Sequence, residues 1–265
     1  MDGIQIRFAE PRDATHIADL FSSGFDPDVA RLLIYGCKGV SEYIRMQLAS
    51  GIPTTESAYF VAQASDSIIG AAELRRQSSR LHLNYIAVHP SHRGQRVGAI
   101  LFSAAVGMSG VRSGQIGLDV LRDNVRALQW YSRLGFAAKR SVEFLELAPP
   151  SGADEEPVYV SGLPQADLCQ ERFGFSSFNL ITRKGTFSVG RIGDTWFRLT
   201  DPAAVGNPTI FAALNFLDPE RRIFAVVPAS STAPAQVVRL LAKMHTMEAE
   251  IPHLMSSLSG DNQKS

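Results

Sequence analysis

The seventeen residues from Leu83 to Ala99 restrict this chain more than any other stretch. An apolar strand pattern, Leu83-Asn84-Tyr85-Ile86-Ala87-Val88, runs into the turn His89-Pro90-Ser91-His92-Arg93-Gly94-Gln95-Arg96. That turn opens a segment with apolar residues at Val97, Ile100, Leu101, Ala104, Ala105 and Met108, which is helical spacing. The first N–H groups of a helix have no internal partner and its N-terminus carries partial positive charge, so such a junction suits a phosphate. Gly94 and Gly98 let the backbone come close, and Arg93 and Arg96 add charge. The segment is neither a P-loop nor a dinucleotide glycine fingerprint, since it has no Gly-Lys-Ser/Thr and no Gly-x-Gly-x-x-Gly. An ordinary strand-to-helix loop has the same local pattern, so the junction alone leaves both readings open.

Strand and helix patterns alternate on both sides of it. Residues 4–8 read as a strand, 13–21 as a helix with Asp13 as its N-cap, and 30–48 as a second helical stretch. Residues 58–64 and 67–75 read as a hairpin turning at Ser65-Asp66. A strand at 81–88, the helix at 97–108, a strand at 115–121, a helix at 124–134 and a strand at 139–147 follow. The order predicts a mixed α/β domain over 1–147. Residues 148–157, Pro- and Gly-rich and acidic, read as a linker. Beyond it, 158–265 is expected to form a smaller α+β lobe. It has strands at 186–189, 195–199 and 223–227, an ambiguous run at 210–216, and a helix at 234–250 with Val237, Val238, Leu241, Met244 and Met247 on one face. A polar tail after Ser259 is expected to fray. Eight of the fifteen phenylalanines lie in this lobe, so it has the material for a core.

Composition excludes several classes. The 26 basic and 26 acidic residues balance, which argues against a chain built around nucleic acid. Two distant cysteines, Cys37 and Cys169, fit neither a disulfide framework nor a metal site, and no metal is expected. With no signal-peptide layout at Met1-Asp-Gly-Ile and no run of 18 apolar residues, a cytoplasmic location without a membrane partner is expected.

Arg93-x-x-Arg96-x-Gly98-Ala99, after Ala87-Val88-His89-Pro90, resembles the pyrophosphate loop of the GNAT acyl-CoA-dependent N-acetyltransferases, Gln/Arg-x-x-Gly-x-Gly/Ala. Arg96 stands where that pattern has its first Gly. Asn124-x-x-Ala127-x-x-x-Tyr131-x-x-Leu134-Gly135-Phe136 is similar to the family's later motif. The resemblance covers residues 1–147 and implies a central mixed, mostly antiparallel sheet flanked by helices. It leaves 158–265 unassigned, as a degenerate acyltransferase-like half, a substrate lobe or a homodimer interface. It implies acetyl-CoA as co-substrate, with Ile86, Ala87 and Val88 pairing with the pantetheine arm. It also implies that the N–H groups of Arg93, Gly94, Gln95, Arg96, Val97, Gly98 and Ala99 hold the pyrophosphate, with Asn124 and Tyr131 as further cofactor contacts. An amine of a small molecule or peptide then attacks the acetyl group directly.

Tyr131 is the candidate general acid, although the same helix face could simply be a buried stripe. Asn124 is a cofactor contact or an N-cap. The amine must lose a proton. His82, near neutral pKa, is the first candidate base; Glu73 on the preceding strand is the second, acting through water or anchoring the ammonium. His89 and His92, in the loop, read as solvated or near phosphate. A non-catalytic acyl-CoA-binding module is the alternative to an enzyme.

Overall fold

The computed structural model describes residues 3–50, 57–77, 80–150, 156–229 and 235–263. The strands are β1 (Ile4–Phe8), β2 (Ser57–Ala64), β3 (Ser67–Gln77), β4 (Arg80–Val88), β5 (Gln115–Leu121), β6 (Ala137–Leu147), β7 (Tyr159–Ser161), β8 (Phe175–Thr182), β9 (Gly185–Ile192), β10 (Trp196–Leu199), β11 (Arg222–Pro228) and β12 (Val237–Glu250). The helices are α1 (Ala14–Ser22), α2 (Pro27–Ala30), α3 (Val40–Ala49), α4 (Val97–Met108), α5 (Val125–Arg133), α6 (Leu163–Phe173), α7 (Pro208–Leu217) and α8 (Ile251–Gln263). They form two compact units: residues 1–25, 41–140 and 245–265, and residues 26–40 and 141–244.

In the first unit β1, β2, β3 and β4 are successive antiparallel neighbours. β5 lies parallel to β4, with α4 as the crossover, and the end of β12 lies beside β5. Helix α4 buries Val97, Leu101, Phe102, Ala105 and Val106, at i, i+4, i+5, i+8 and i+9, against Phe60, Ala62, Leu81 and Leu83 of the sheet. In the second unit β7, β8, β9 and β10 are antiparallel. β11 returns parallel to β10 after α7, and β6 lies antiparallel to β11. Phe178, Leu180, Val189, Phe197, Phe211 and Leu214 fill its core. The two units therefore repeat one plan: four antiparallel strands, a helix, and a strand returning parallel to the fourth.

Several expectations change. Residues 237–250 are a strand rather than a helix. Its place in the sheet between β5 and β6, with the partners Glu146 for Arg239 and Glu143 for Lys243, overrides the apparent helical stripe. Of the tail expected to fray after Ser259, residues 260–263 continue α8, which begins at Ile251 and buries Ile251, Leu254 and Leu258 in the first core. The expected division at 147–158 thus differs from the structure: residues 245–263 complete the first unit, and β6 is shared between the units. Residues 26–40 join the second unit, where the Gly39 N–H donates to the Phe173 carbonyl at 3.1 Å. The helical stretch at 30–48 is broken into α2, a 3-10 turn at Ile34–Gly36 and α3. The ambiguous run at 210–216 lies in α7, and α6 and β8 occupy residues for which the sequence patterns predicted no element. Of the linker, residues 151–155 lie outside the described residues.

Candidate active site

Strand β4 is bulged and parts from its neighbour. Glu73 pairs with Tyr85 and Leu74 with Leu83, so Asn84 is the extra residue. The bulge moves Tyr85 onto the face of His82 and turns Ile86 and Val88 to the other, where they pack on the first core. A simple period-two reading from His82 through Asn84 to Ile86 does not survive it. The His89 N–H donates to the Ile69 carbonyl at 2.9 Å, which makes Val88 and Gly70 a non-hydrogen-bonded pair. By that alternation the N–H and C=O groups of Ile86 and Val88 point away from β3, towards the β5 side. There β5 pairs with β4 only from Leu81 to Leu83. Past that point β4 offers the open strand edge that an extended amide-bearing chain can join. The Val88 carbonyl accepts from Arg93 Nε at 3.0 Å, which ties the loop to the end of the strand.

The loop then presents a helix end. Gly94 (φ 81°) and Arg96 (φ 59°) are both left-handed. Arg96 thus takes, at a cost of about 1–2 kcal/mol, the conformation for which the family pattern has glycine. No side chain caps α4, and its first backbone bond runs from the Ile100 N–H to the Arg96 carbonyl at 3.1 Å. The N–H groups of Val97, Gly98 and Ala99 therefore have no intrahelical acceptor. A Cβ on Gly98 would sit 3.6 Å from Val88 Cγ2 and 3.9 Å from Trp130 Cη2, so strand end, helix start and α5 converge here. Trp130 has no counterpart in the expectations; only the fold places it at this junction. The open edge and uncapped helix together fit a ligand with an extended amide arm and a pyrophosphate. Gln95, Arg93 and Gly94 are exposed, Ala87 is half-buried, and the Gln95 amide donates to the Ser91 carbonyl at 3.2 Å.

Asn124 is exposed, and its Oδ1 accepts from the Ala127 N–H at 3.1 Å, so it caps α5. Tyr131, 7% exposed, packs on Trp130 and Phe136 at ring separations of 4.9 and 5.7 Å. Burial pushes its phenol well above the usual value, so it holds its proton.

The opposite face of the sheet carries a polar cluster around Glu73 and His82. Glu73 is fully buried, and its carboxylate accepts from Ser57 Oγ (2.9 Å), Arg75 Nε (2.8 Å) and Asn84 Nδ2 (2.7 Å). Its oxygens are thus occupied in holding the bulge. His82 lies beside Arg75 on one side and Gly117 on the other. Burial above all pushes its pKa down. Asp119 and Glu73 act against that and Arg75 with it, and the net shift is downward. Among the described residues no His, Cys, Asp or Glu cluster could hold a metal, and no helix is long and apolar enough to cross a membrane.

Residues 55–138, which span the bulged strand, the loop and α5, match the sequence model of a family described as Acetyltransferase (GNAT) domain. The match lies within the first unit. The fold of the whole chain is shared with a tandem GNAT protein from the clavulanic acid biosynthesis pathway (without AcCoA). That likeness has 12% identity and a TM-score of 0.63, and covers 94% of this chain and 98% of that one. A GCN5-related N-acetyltransferase from Sphaerobacter thermophilus is similar at 14% identity and a TM-score of 0.60, covering 95% of this chain and 96% of that one. No curated protein sequence matches the chain.

Proposed function

We propose that the first unit transfers an acetyl group from acetyl-CoA to a primary amine of a small molecule or peptide. One observation carries this reading: the open edge of β4, with Ile86 and Val88 groups facing outward, leads straight into the uncapped N-terminus of α4. Acetyl-CoA supplies the acetyl thioester. Ile86 and Val88 receive its amide arm as an added strand, flanking Ala87 on the same edge, and the N–H groups from Arg93 to Ala99 face its phosphates. The arm runs from the phosphates back along the edge, so its thioester lies towards the bulge, where the Ile86 N–H stands ready for the oxyanion that develops on the carbonyl.

His82, with its pKa held down, is neutral near pH 7 and takes the proton of the incoming ammonium. Glu73 supports the site by fixing Asn84 and Arg75 rather than by taking that proton, because its oxygens already accept three hydrogen bonds. Tyr131 keeps its proton and donates a hydrogen bond to the departing thiolate. Full transfer from a phenol raised above its ordinary value of about 10 to a thiolate near 8.5 runs uphill. Asn124 keeps its amide nitrogen for the cofactor while its oxygen caps α5.

The test pairs calorimetric titration of acetyl-CoA with thiol release across a panel of amines. Acetyl-CoA is expected to bind and at least one amine class to release thiol. Tyr131→Phe should leave binding intact and lower kcat about 10²–10³-fold, the scale of a lost hydrogen-bond donor to developing negative charge. Failure of the intact chain to bind acetyl-CoA overturns the reading. Binding without thiol release from any amine would make it an acyl-CoA-binding module.

A further inference from the structure

On the face of the first unit that carries His82, three side chains from three strands form a line. Thr246, 8% exposed on β12, donates from Oγ1 to Asp119 Oδ1 on β5 at 2.6 Å. The other carboxylate oxygen, Oδ2, lies 3.6 Å from His82 Nε2 on β4. At the far side of the imidazole, a Cβ built on Gly117 would come within 3.4 Å of Nδ1. A side chain at 117 would stand in contact with that nitrogen and lie 3.7 Å from the Met247 carbonyl oxygen; glycine leaves that spot unfilled. Arg140 Nε reaches Thr246 Oγ1 at 3.5 Å, so the hydroxyl is held from behind while its proton goes to Asp119.

We propose that Asp119 and Thr246 are positioning residues for His82. Thr246 orients the Asp119 carboxylate; Asp119, 3.6 Å from Nε2, acts on the ring by charge and favours a proton on that nitrogen, and the Nδ1 lone pair is left facing Gly117, where no side chain covers it. There it takes the proton of the acceptor's ammonium, leaving an amine and an imidazolium whose charge Asp119 balances. This rests on the acetyltransferase reading above and deepens it. The second half of the chain thereby supplies part of the first unit's chemistry, because Thr246 arrives with the returning strand.

The groups facing His82 fix the sign of the pH response. From β3 come Glu73 and Arg75, from β5 Asp119, and from β12 Thr246 with Glu248, the latter paired to Arg80 at 2.8 Å; Arg140 comes from β6. Asp119 favours the imidazolium, so removing its charge lowers the pKa of His82 further. The acidic limb of kcat/KM, where the base becomes protonated, must then move to lower pH.

The experiment uses the full chain and two readouts. His82 is titrated by imidazole NMR in the wild type and in Asp119→Asn, and the kcat/KM profile is recorded with an amine found active. The variant is expected to titrate at lower pH, its acidic limb to move with it, and its plateau to fall at least tenfold with unchanged acetyl-CoA affinity. Thr246→Val, close in shape, should lower the plateau severalfold, and Thr246→Ser should restore it. An unmoved His82 titration in Asp119→Asn overturns the positioning proposal on its own, whatever the activity. A titration that moves while the acidic limb stays put instead overturns His82 as the base. Equal plateaus in Thr246→Val and wild type overturn the role of the hydroxyl.

Discussion

The two units build the same strand–helix–strand crossover and finish it differently. In the first, β4 is nine residues long but pairs with β5 over three, and α4 begins uncapped after a left-handed arginine. In the second, β10 is four residues long and pairs with β11 along all four. Its helix α7 begins with Asn207, whose side chain accepts from the Thr209 N–H at 3.1 Å, followed by Pro208, which has no N–H. One crossover leaves a strand edge and a helix end unsatisfied; the other satisfies both internally. Topology alone therefore assigns no ligand to either unit. The chemistry resides in how the ends are finished.

The largest effect that could break this contrast comes from removing the returning segment. A fragment ending at residue 150 lacks Met247, Ile251, Leu254 and Leu258, all buried in the first core. At about 1.5–3 kcal/mol for each buried side chain, the loss is on the order of 6–12 kcal/mol. A whole domain is held by roughly 5–15 kcal/mol. The fragment should lack a cooperative thermal transition and bind no acetyl-CoA. If it melts cooperatively and binds normally, the first unit is self-sufficient and the shared core carries little.

Next in size is the open helix end. Gly98→Val places methyl groups where the backbone must approach a pyrophosphate, and should weaken acetyl-CoA binding at least tenfold, about 1.4 kcal/mol or more. A Cβ at this position meets its neighbours only at ordinary contact distance, so the fold should survive, with little change in melting temperature. Normal binding by a folded Gly98→Val protein would remove the reason for setting the two crossovers apart.

Much of the first unit was legible because its elements carry local signals. The hairpin at Ser65-Asp66, the helix at 97–108 and the loop glycines follow from periodicity and turn chemistry, and Ser65 indeed turns left-handed at φ 51°. The strand-to-helix junction at 83–99 was legible for the same reason: it is contiguous. What failed was non-local. Met244 and Met247 fit a helical stripe with Val237 and Leu241, and only pairing beside β5 and β6 makes that run a strand. Asp119 and Thr246 lie 37 and 164 residues from His82 in the chain, and only strand register brings them to it. In the folded strand Ile116, Leu118 and Val120 turn into the core, which leaves Asp119 on the opposite face. The bulge at Asn84, invisible in residue types, decided which strand residues shared a face with His82.

The smallest effect tests the sealed end. Asn207 is 7% exposed, its side chain caps α7, and its carbonyl accepts from the N–H groups of Ile210 and Phe211. Asn207→Ala keeps that carbonyl but leaves the buried Thr209 N–H without its acceptor. The expected cost is about 1 kcal/mol, read as a lower denaturant midpoint with an unchanged slope. Acetyl-CoA affinity should not change, since nothing in that crossover is open to a phosphate. The paired result is what sharpens the contrast: Gly98→Val loses binding and keeps stability, whereas Asn207→Ala loses stability and keeps binding. If Asn207→Ala instead weakens acetyl-CoA severalfold while the midpoint holds, the capped helix end belongs to a ligand site after all, and the two crossovers differ in degree rather than in kind.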